Sequence, residues 1–499
     1  MNEWADLSRA LEEMAASGPA EVREDGEWLA ELSGLRCEWR TQGKNSLVHL
    51  WSDARSLTRR ILRVRERSAD RIVLEVQGFG RTRPSRIEFL RTGSPRSAGR
   101  ITREEFRARF QRILSERFPD AHIEKLTAAP DRQRSFSSWY ARGKMREGGR
   151  AYAVLAMAPD ENATAVEAML AHGILWLDWT RSRAERQPVE ALRLFVPEGT
   201  AKLLRERALA LSDAARAEIF EYRESDWRIR KLDIADAGNL ESWLVPRRES
   251  EALLQAARDA AAQVPCLART LNDSSGAVRI RLLAGAKEAA FCFRGLEFVR
   301  WSSNEGLRFG LSDSQRHLTS AKEPLLERLI AKLDLERSPL ASEKNRVLYR
   351  AAPERWLESL VLEDCTRLDA VLDPRHLYSQ VPALAAGDRG ILDVLAVTRR
   401  GRLVVIELKA SEDIQLPLQA VDYWLRVRRH QRERDFERFG YFTGVTLDPQ
   451  PPLVRLVATA RRFHPTTDTL LRYLSPEICI TRVGLNENWR RGLKVIFRQ

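Results

Sequence analysis

The sequence predicts an α/β protein built of several modules in tandem, on three observations. Between Gly390 and Tyr423, in GILDVLAVTRRGRLVVIELKASEDIQLPLQAVDY, two runs rich in Val, Ile and Leu flank Thr398-Arg399-Arg400-Gly401-Arg402 and lead into a helical pattern. A second hairpin, Tyr140 to Met145 and Arg150 to Met157 around Glu147-Gly148-Gly149, is again followed by a helix. Short alternating runs at residues 27–90 and 278–311 mark two further, β-rich stretches.

In chain order, Trp4, Leu7, Leu11 and Met14 fall at helical spacing, so residues 1–16 open the chain as a short amphipathic helix. The β-rich N-terminal module, residues 1–95, then has strands at Leu35 to Trp39, Ser46 to Trp51, Ile72 to Val76 and Arg86 to Leu90, interrupted by the arginine-rich Ala54 to Arg67. Gly78-Phe79-Gly80-Arg81-Thr82-Arg83-Pro84 reads as a hairpin turn, and Thr92 to Gly99 as a linker. Residues 100–243 form an α/β module that opens on a helix from Thr102 to about Phe118. A second β-rich module spans 244–340, with strands at Val278 to Leu283, Ala289 to Phe293, Leu296 to Trp301 and Leu307 to Leu311. There Arg294, Arg300 and Trp301 either offer a basic aromatic surface or, in the case of Trp301, join the core.

The last module, residues 345–499, contains a helix from Pro353 to Leu362, a first strand at Tyr378-Ser379-Gln380-Val381, a turn at Ala385 to Arg389, and then the hairpin. Gly401 suits the left-handed position of a three-residue loop. If Thr398 pairs with Arg402, counting back along both strands places Asp393 opposite Glu407. The period of two sets Glu407 and Lys409 on one face, with Ile406 and Leu408 on the other. Facing carboxylates repel, at a cost on the order of 0.2 to 1 kcal/mol when solvated and more when buried. A hard divalent cation with oxygen ligands from Asp393 and Glu407 would compensate, as Mg²⁺ does with one or two carboxylates and a phosphate. Lys409 beside it could orient or deprotonate an attacking water. Beyond Tyr423 the helix carries Arg426, Arg428, Arg429, Arg432 and Arg434, which fits either a phosphate-tracking run or a solvated face.

Asp393, then Glu407-Leu408-Lys409, then Gln419 and Tyr423 on the following helix resemble the PD-(D/E)XK nuclease superfamily in its RecB-like and NucS-like branch. The resemblance covers roughly the last third of the chain. It implies a restriction-endonuclease-like domain in which Asp393 and Glu407 hold Mg²⁺ (Mn²⁺ may substitute), Lys409 serves the water, and Gln419 and Tyr423 organise the site or contact phosphate. An acidic residue on the preceding helix completes such a site, and Glu354 in Pro353-Glu354-Arg355-Trp356-Leu357-Glu358 stands in that place, with Glu358 as the competing assignment. Glu-x-Lys alone is common in strands; the resemblance rests on the combination.

The hairpin at 140–157 looks like a degenerate copy of the later one. With Gly149-Arg150 set on Gly401-Arg402, Leu155 falls where Glu407 is, Met157 where Lys409 is and Ala141 where Asp393 is. Glu190 to Val196 matches Leu453 to Val457, and each copy ends on two strands around a Trp, Trp227 and Trp489. Without acids, the first copy would have a structural or DNA-gripping role. The expected whole is a fused pair of subunits, a monomer with an internal pseudo-dimer or a homodimer, acting as a DNA endonuclease with one active site per chain. The alternative is a non-catalytic nucleic-acid-binding or assembly factor that keeps the fold.

Composition agrees with a polyanionic partner. At 499 residues the chain has 83 Lys plus Arg against 70 Asp plus Glu, a net charge of +13. Its five cysteines and seven histidines show no zinc-ligand spacing, so His376 and His464 read as loop residues. Met1-Asn2-Glu3-Trp4-Ala5-Asp6 lacks the basic start and apolar core of a signal peptide, and no run of about twenty apolar residues occurs, so the expected location is cytoplasmic, away from membranes.

Overall fold

The computed structural model describes residues 7–499 apart from 8, 12, 15–19, 26, 33–35, 43–44, 52–55, 69, 79–83, 92–101, 132, 160, 162, 184–187, 236–243, 245, 274–275, 284–287, 312–314 and 380–391. The expected turns at 78–84 and 385–389 and the linker at 92–99 lie largely or wholly outside these residues. Four sheets follow one another along the chain. β1 (Ala20–Glu24), β2 (Glu27–Glu31), β3 (Arg36–Gln42), β4 (Asn45–Trp51), β5 (Ser56–Arg67), β6 (Arg71–Gly78) and β7 (Ser85–Arg91) form an antiparallel sheet in the order β2-β1-β7-β6-β5-β4-β3. β8 (His122–Ile123), β9 (Tyr140–Glu147), β10 (Arg150–Met157), β11 (Val189–Pro197), β12 (Ala217–Tyr222) and β13 (Ile229–Lys231) form a mixed sheet. β14 (Val278–Leu282), β15 (Glu288–Phe293), β16 (Leu296–Ser302), β17 (Gly306–Phe309) and β18 (Arg316–His317) make an antiparallel meander. β19 (Leu372–Ser379), β20 (Val394–Thr398), β21 (Leu403–Lys409), β22 (Leu453–Thr459), β23 (Ile480–Leu485) and β24 (Val495–Arg498) form a second mixed sheet.

The chain is thus a multidomain α/β protein with mixed sheets, gathered into two compact units that are each discontinuous. One comprises residues 1–99 and 252–359, the other 100–251 and 360–499.

In the first unit, the stretch expected to interrupt the strands is itself the strand β5. Two register shifts against β6 break the alternation that would have marked it, and its arginines hide its apolar residues. Arg63 and Arg65 both reach Glu75 on the neighbouring strand, while Ile61 turns into the core with Leu7, Leu11, Val22 and Phe89. In the β14–β18 sheet, Trp301 is a core residue and Arg300 is held by Glu288 and Glu297, so these side chains are engaged within the fold.

The two mixed sheets of the second unit share one topology. Along β13-β12-β11-β10-β9-β8 and along β24-β23-β22-β21-β20-β19, neighbours pair antiparallel, parallel, parallel, antiparallel and antiparallel. Registers correspond as well. Val154 lies beside Arg193 and Leu155 beside Leu194, as Ile406 lies beside Arg455 and Glu407 beside Leu456. The long helices Ala163–Ser182 and Leu416–Arg432 contribute to one apolar cluster that runs through both halves.

Contacts between the halves are reciprocal. Leu211 bridges Leu474, the N–H of Ser212 donates to the carbonyl of Tyr473 at 2.9 Å, and the N–H of Ser475 donates to that of Ala210 at 2.8 Å. Equivalent segments meeting in this way is the signature of an isologous, two-fold interface, here within one chain.

Gly401 sits at φ 87°, and a Cβ built on it would lie 2.0 Å from the carbonyl oxygen of Thr446. Gly401→Ala is therefore expected to cost roughly 2 to 4 kcal/mol, from left-handed strain plus displacement of that backbone. Chemical denaturation checks this; a loss under about 1 kcal/mol would mean that the loop relaxes.

Candidate functional site

The hairpin that carries the candidate residues closes as its sequence requires. Thr398 donates its N–H to Arg402 at 2.8 Å across the loop Arg399-Arg400-Gly401, and the ladder runs back to Val394 opposite Ile406. The strand pairing ends there, and Asp393 stands one residue before it, in a bend. The Asp393 Oδ2 accepts the N–H of Leu408 at 3.0 Å, which brings that carboxylate against the backbone next to Glu407. Leu395, Val397, Leu403 and Val405 belong to the cluster beneath helix Leu416–Arg432. By the same alternation Glu407 and Lys409 project to the helix side of the sheet.

Glu407 is only 4 % exposed, whereas Lys409 is half-buried and pairs with Asp413 at 3.2 Å. Tyr423 is buried on the facing helix, and its phenol is held well above its ordinary range by burial first, then by the charges of Glu407 and Asp393. Its hydroxyl thus stays protonated beside both acids. One and two turns earlier, the side-chain oxygen of Gln419 and both amide atoms of Gln415 are shielded from solvent with no hydrogen-bond partner among the described residues. Unsatisfied amides of this kind call for water or a ligand. Asp393 and Glu407 thus both act on Tyr423, while Lys409 lies two residues beyond Glu407 on its strand and Gln419 one turn before Tyr423 on its helix. Asp413 and Gln415 escape sequence reasoning because nothing but their nearness to Lys409 marks them.

Glu354 and Glu358 lie in the portion of helix Pro353–Glu363 that belongs to the first unit. Glu354 is half-buried in the first turn, and Glu358 is buried and accepts from Arg355 at 2.9 Å.

The first copy departs from the expected alignment by one residue. Its hairpin closes through two glycines, Gly148 at φ 55° and Gly149 at φ 75°, so that Glu147 pairs with Arg150. The loop is one residue shorter than in the second copy, and Leu155 therefore faces Arg142, not Ala141. Arg142 is buried among the rings of Phe136 and Trp176 and donates to the carbonyls of Ser137 and Ala129. Burial pulls its guanidinium below the ordinary range. Where the second copy has an acid, the first has a fixed cation, which excludes a metal ion from that position.

Close by, the ring of His172 lies 5.3 Å from that of Tyr140, and burial pushes the imidazole down from 6.5 to about 4. The unfolded chain takes up this proton near pH 6.5 and the folded one only near 4, so the stability is whole above pH 6.5 and is lost as pH falls between the two. The loss is expected to reach roughly 2 kcal/mol at pH 5. Denaturation midpoints of wild type and His172→Leu at pH 7.5 and 5 test it, with a flatter pH response in the variant; identical responses would remove this assignment.

A separate group at the far end of helix Leu416–Arg432 could hold a metal ion. Ligand atoms of His430, Glu433 and Asp435 lie within 4.8 Å of one another. His430 Nδ1 is 2.6 Å from Asp435 Oδ2 with both residues buried, while the exposed Glu433 is held by Arg429 at 2.9 Å. The buried pair alone is a sufficient structural reason for the histidine and the aspartate.

The arginine run of the same helix is largely engaged. Arg426 lies 3.9 Å from Glu206, Arg428 and Arg432 lie 3.7 and 3.8 Å from Glu477, and Arg429 is bound to Glu433. Among the described residues, no helix is long and apolar enough to cross a membrane. No family model, curated protein or solved structure matches the chain.

Proposed function

We propose that the second unit is a metal-dependent DNA endonuclease with a restriction-endonuclease-like fold and one active centre per chain. The observation that supports this reading is that the Asp393 carboxylate accepts the N–H of Leu408, next to Glu407, and that both carboxylates act on the buried Tyr423, with Lys409 two residues beyond Glu407 on its strand. An all-oxygen donor pair suits a hard cation, Mg²⁺ or Mn²⁺. Held by Asp393 and Glu407, such an ion would polarise the phosphate and lower the pKa of a bound water.

The chain's own groups divide the remaining work. Lys409, released from Asp413, would orient the water or, as the neutral amine, take its proton while the water oxygen attacks phosphorus; the ester bond that breaks leaves an alkoxide that solvent water protonates. Tyr423, kept neutral by its surroundings, donates a hydrogen bond at the acids' side. Gln419 supports the phosphate. The net charge of +13 favours a polyanion.

A supercoiled-plasmid assay with Mg²⁺ or Mn²⁺, with and without EDTA, tests the reading. Nicked circles should accumulate before linear DNA, because one centre cuts one strand per encounter. Binding without cleavage under both metals would favour the non-catalytic assembly factor. Parallel RNA and single-stranded substrates identify the polymer, and linear product without a nicked precursor would count against a single centre.

A further inference from the structure

We propose that the loop Ala460-Arg461-Arg462, at the carboxyl end of β22, is the lip on which the phosphate backbone of the DNA is held during cutting, with Arg461 and Arg462 as its grip. The proposal rests on the nuclease reading of the neighbouring edge and adds the path of the substrate.

Placement comes from the sheet. β21 and β22 run parallel with Lys409 beside Ala458, so the segments that follow them emerge at one edge. The two loops also touch. His464 Nε2 lies 3.7 Å from Glu412, next to the Asp413 that pairs with Lys409.

Charge availability separates these arginines from the more conspicuous ones. Both are exposed, and among the described residues neither side chain has an ion pair or hydrogen bond; Arg462 uses only its backbone N–H, donated to Thr459. A polyanion that used the run on helix Leu416–Arg432 would have to displace Glu206, Glu433 or Glu477, whereas at Arg461 and Arg462 it displaces only counterions.

The internal copy supplies a control. By the matching registers Pro197 stands where Thr459 does, so Glu198, Gly199 and Thr200 occupy the place of Ala460, Arg461 and Arg462. Glu198 is there bound to Arg223 at 2.9 Å. The copy without the two acids also lacks the free cations and carries an acid at the same turn. The arginines follow the chemistry and not the fold.

The test is equilibrium binding of the full chain to duplex DNA without divalent metal, titrated with KCl. Arg461→Ala/Arg462→Ala should weaken binding roughly tenfold at 0.1 M salt and make the slope of log Kobs against log salt shallower by about 1.8, two phosphate contacts at about 0.9 each. Arg399→Ala/Arg400→Ala removes the same charge at the hairpin's other end and should leave the slope in place. An unchanged slope in the first variant, an equal change in both, or a wild type that does not bind DNA would overturn the lip. A wild type that nicks DNA while the first variant keeps the full slope removes the lip alone. The expected slope change in a protein that never nicks keeps the lip and removes the nuclease.

Discussion

Glu407→Gln should reduce metal-dependent cleavage by about a thousandfold or more while DNA affinity in the absence of metal stays within about twofold. The substitution keeps size and shape at a nearly fully buried position, so the strand ladder beneath it should hold. What it removes is a negative charge that, with that of Asp393, acts on Tyr423. Loss of metal affinity follows directly, measurable through Mn²⁺ binding without any substrate. Lys409→Ala should lower the rate by roughly a hundredfold or more with metal binding retained, since the amine would act on water and not on the cation. Tyr423→Phe should do much less, because a phenol that stays neutral contributes one hydrogen bond. Cleavage by Glu407→Gln at the wild-type rate would end the nuclease assignment at this edge.

The reason the loop and ladder of this hairpin are legible in the sequence is geometric. A glycine at the left-handed position fixes the loop, the loop fixes which residues face, and an apolar strand fixes which side they face. The same reasoning explains why Ala141 is the expected residue at the place that Arg142 holds. An ungapped alignment carries the three-residue loop of one copy onto the two-glycine loop of the other, and a one-residue difference in loop length shifts every facing pair on that strand. Strand β5 is hidden for another reason, since arginines that lean on acids of the next strand look polar in sequence.

The gathering of alternate modules into two discontinuous units has no local signal at all. It depends on surfaces that only folding brings together. Arg461 and Arg462 belong to the same class. Their nearness to Lys409 becomes visible only once β22 is known to lie beside β21.

Arg207→Met is expected to destabilise the second unit by about 3 to 5 kcal/mol, and Arg207→Met/Asp422→Leu to recover most of that loss. Arg207 is almost wholly buried and grips Asp422 with two bonds, Nε to Oδ1 at 2.9 Å and Nη2 to Oδ2 at 2.7 Å, while donating to the Glu167 carbonyl at 2.5 Å. Burial alone would lower the guanidinium's pKa, yet the carboxylate raises it above its ordinary value. The pair links the two internal copies, with Arg207 on helix Lys202–Ala208 of the first and Asp422 on helix Leu416–Arg432 of the second. Removing the cation alone leaves a desolvated carboxylate next to Glu206, whose own pKa burial already raises. Removing both charges leaves an apolar contact of similar volume, which buried ion pairs commonly tolerate. Asp422 directly precedes Tyr423, so the single variant should also lower cleavage more than the double. Denaturation of the wild type, both single variants and the double gives the coupling energy. Single losses under about 1 kcal/mol that simply add would mean that this pair does not lock the copies together, and the reciprocal backbone bonds at Ser212 and Ser475 would then carry the interface with the apolar cluster.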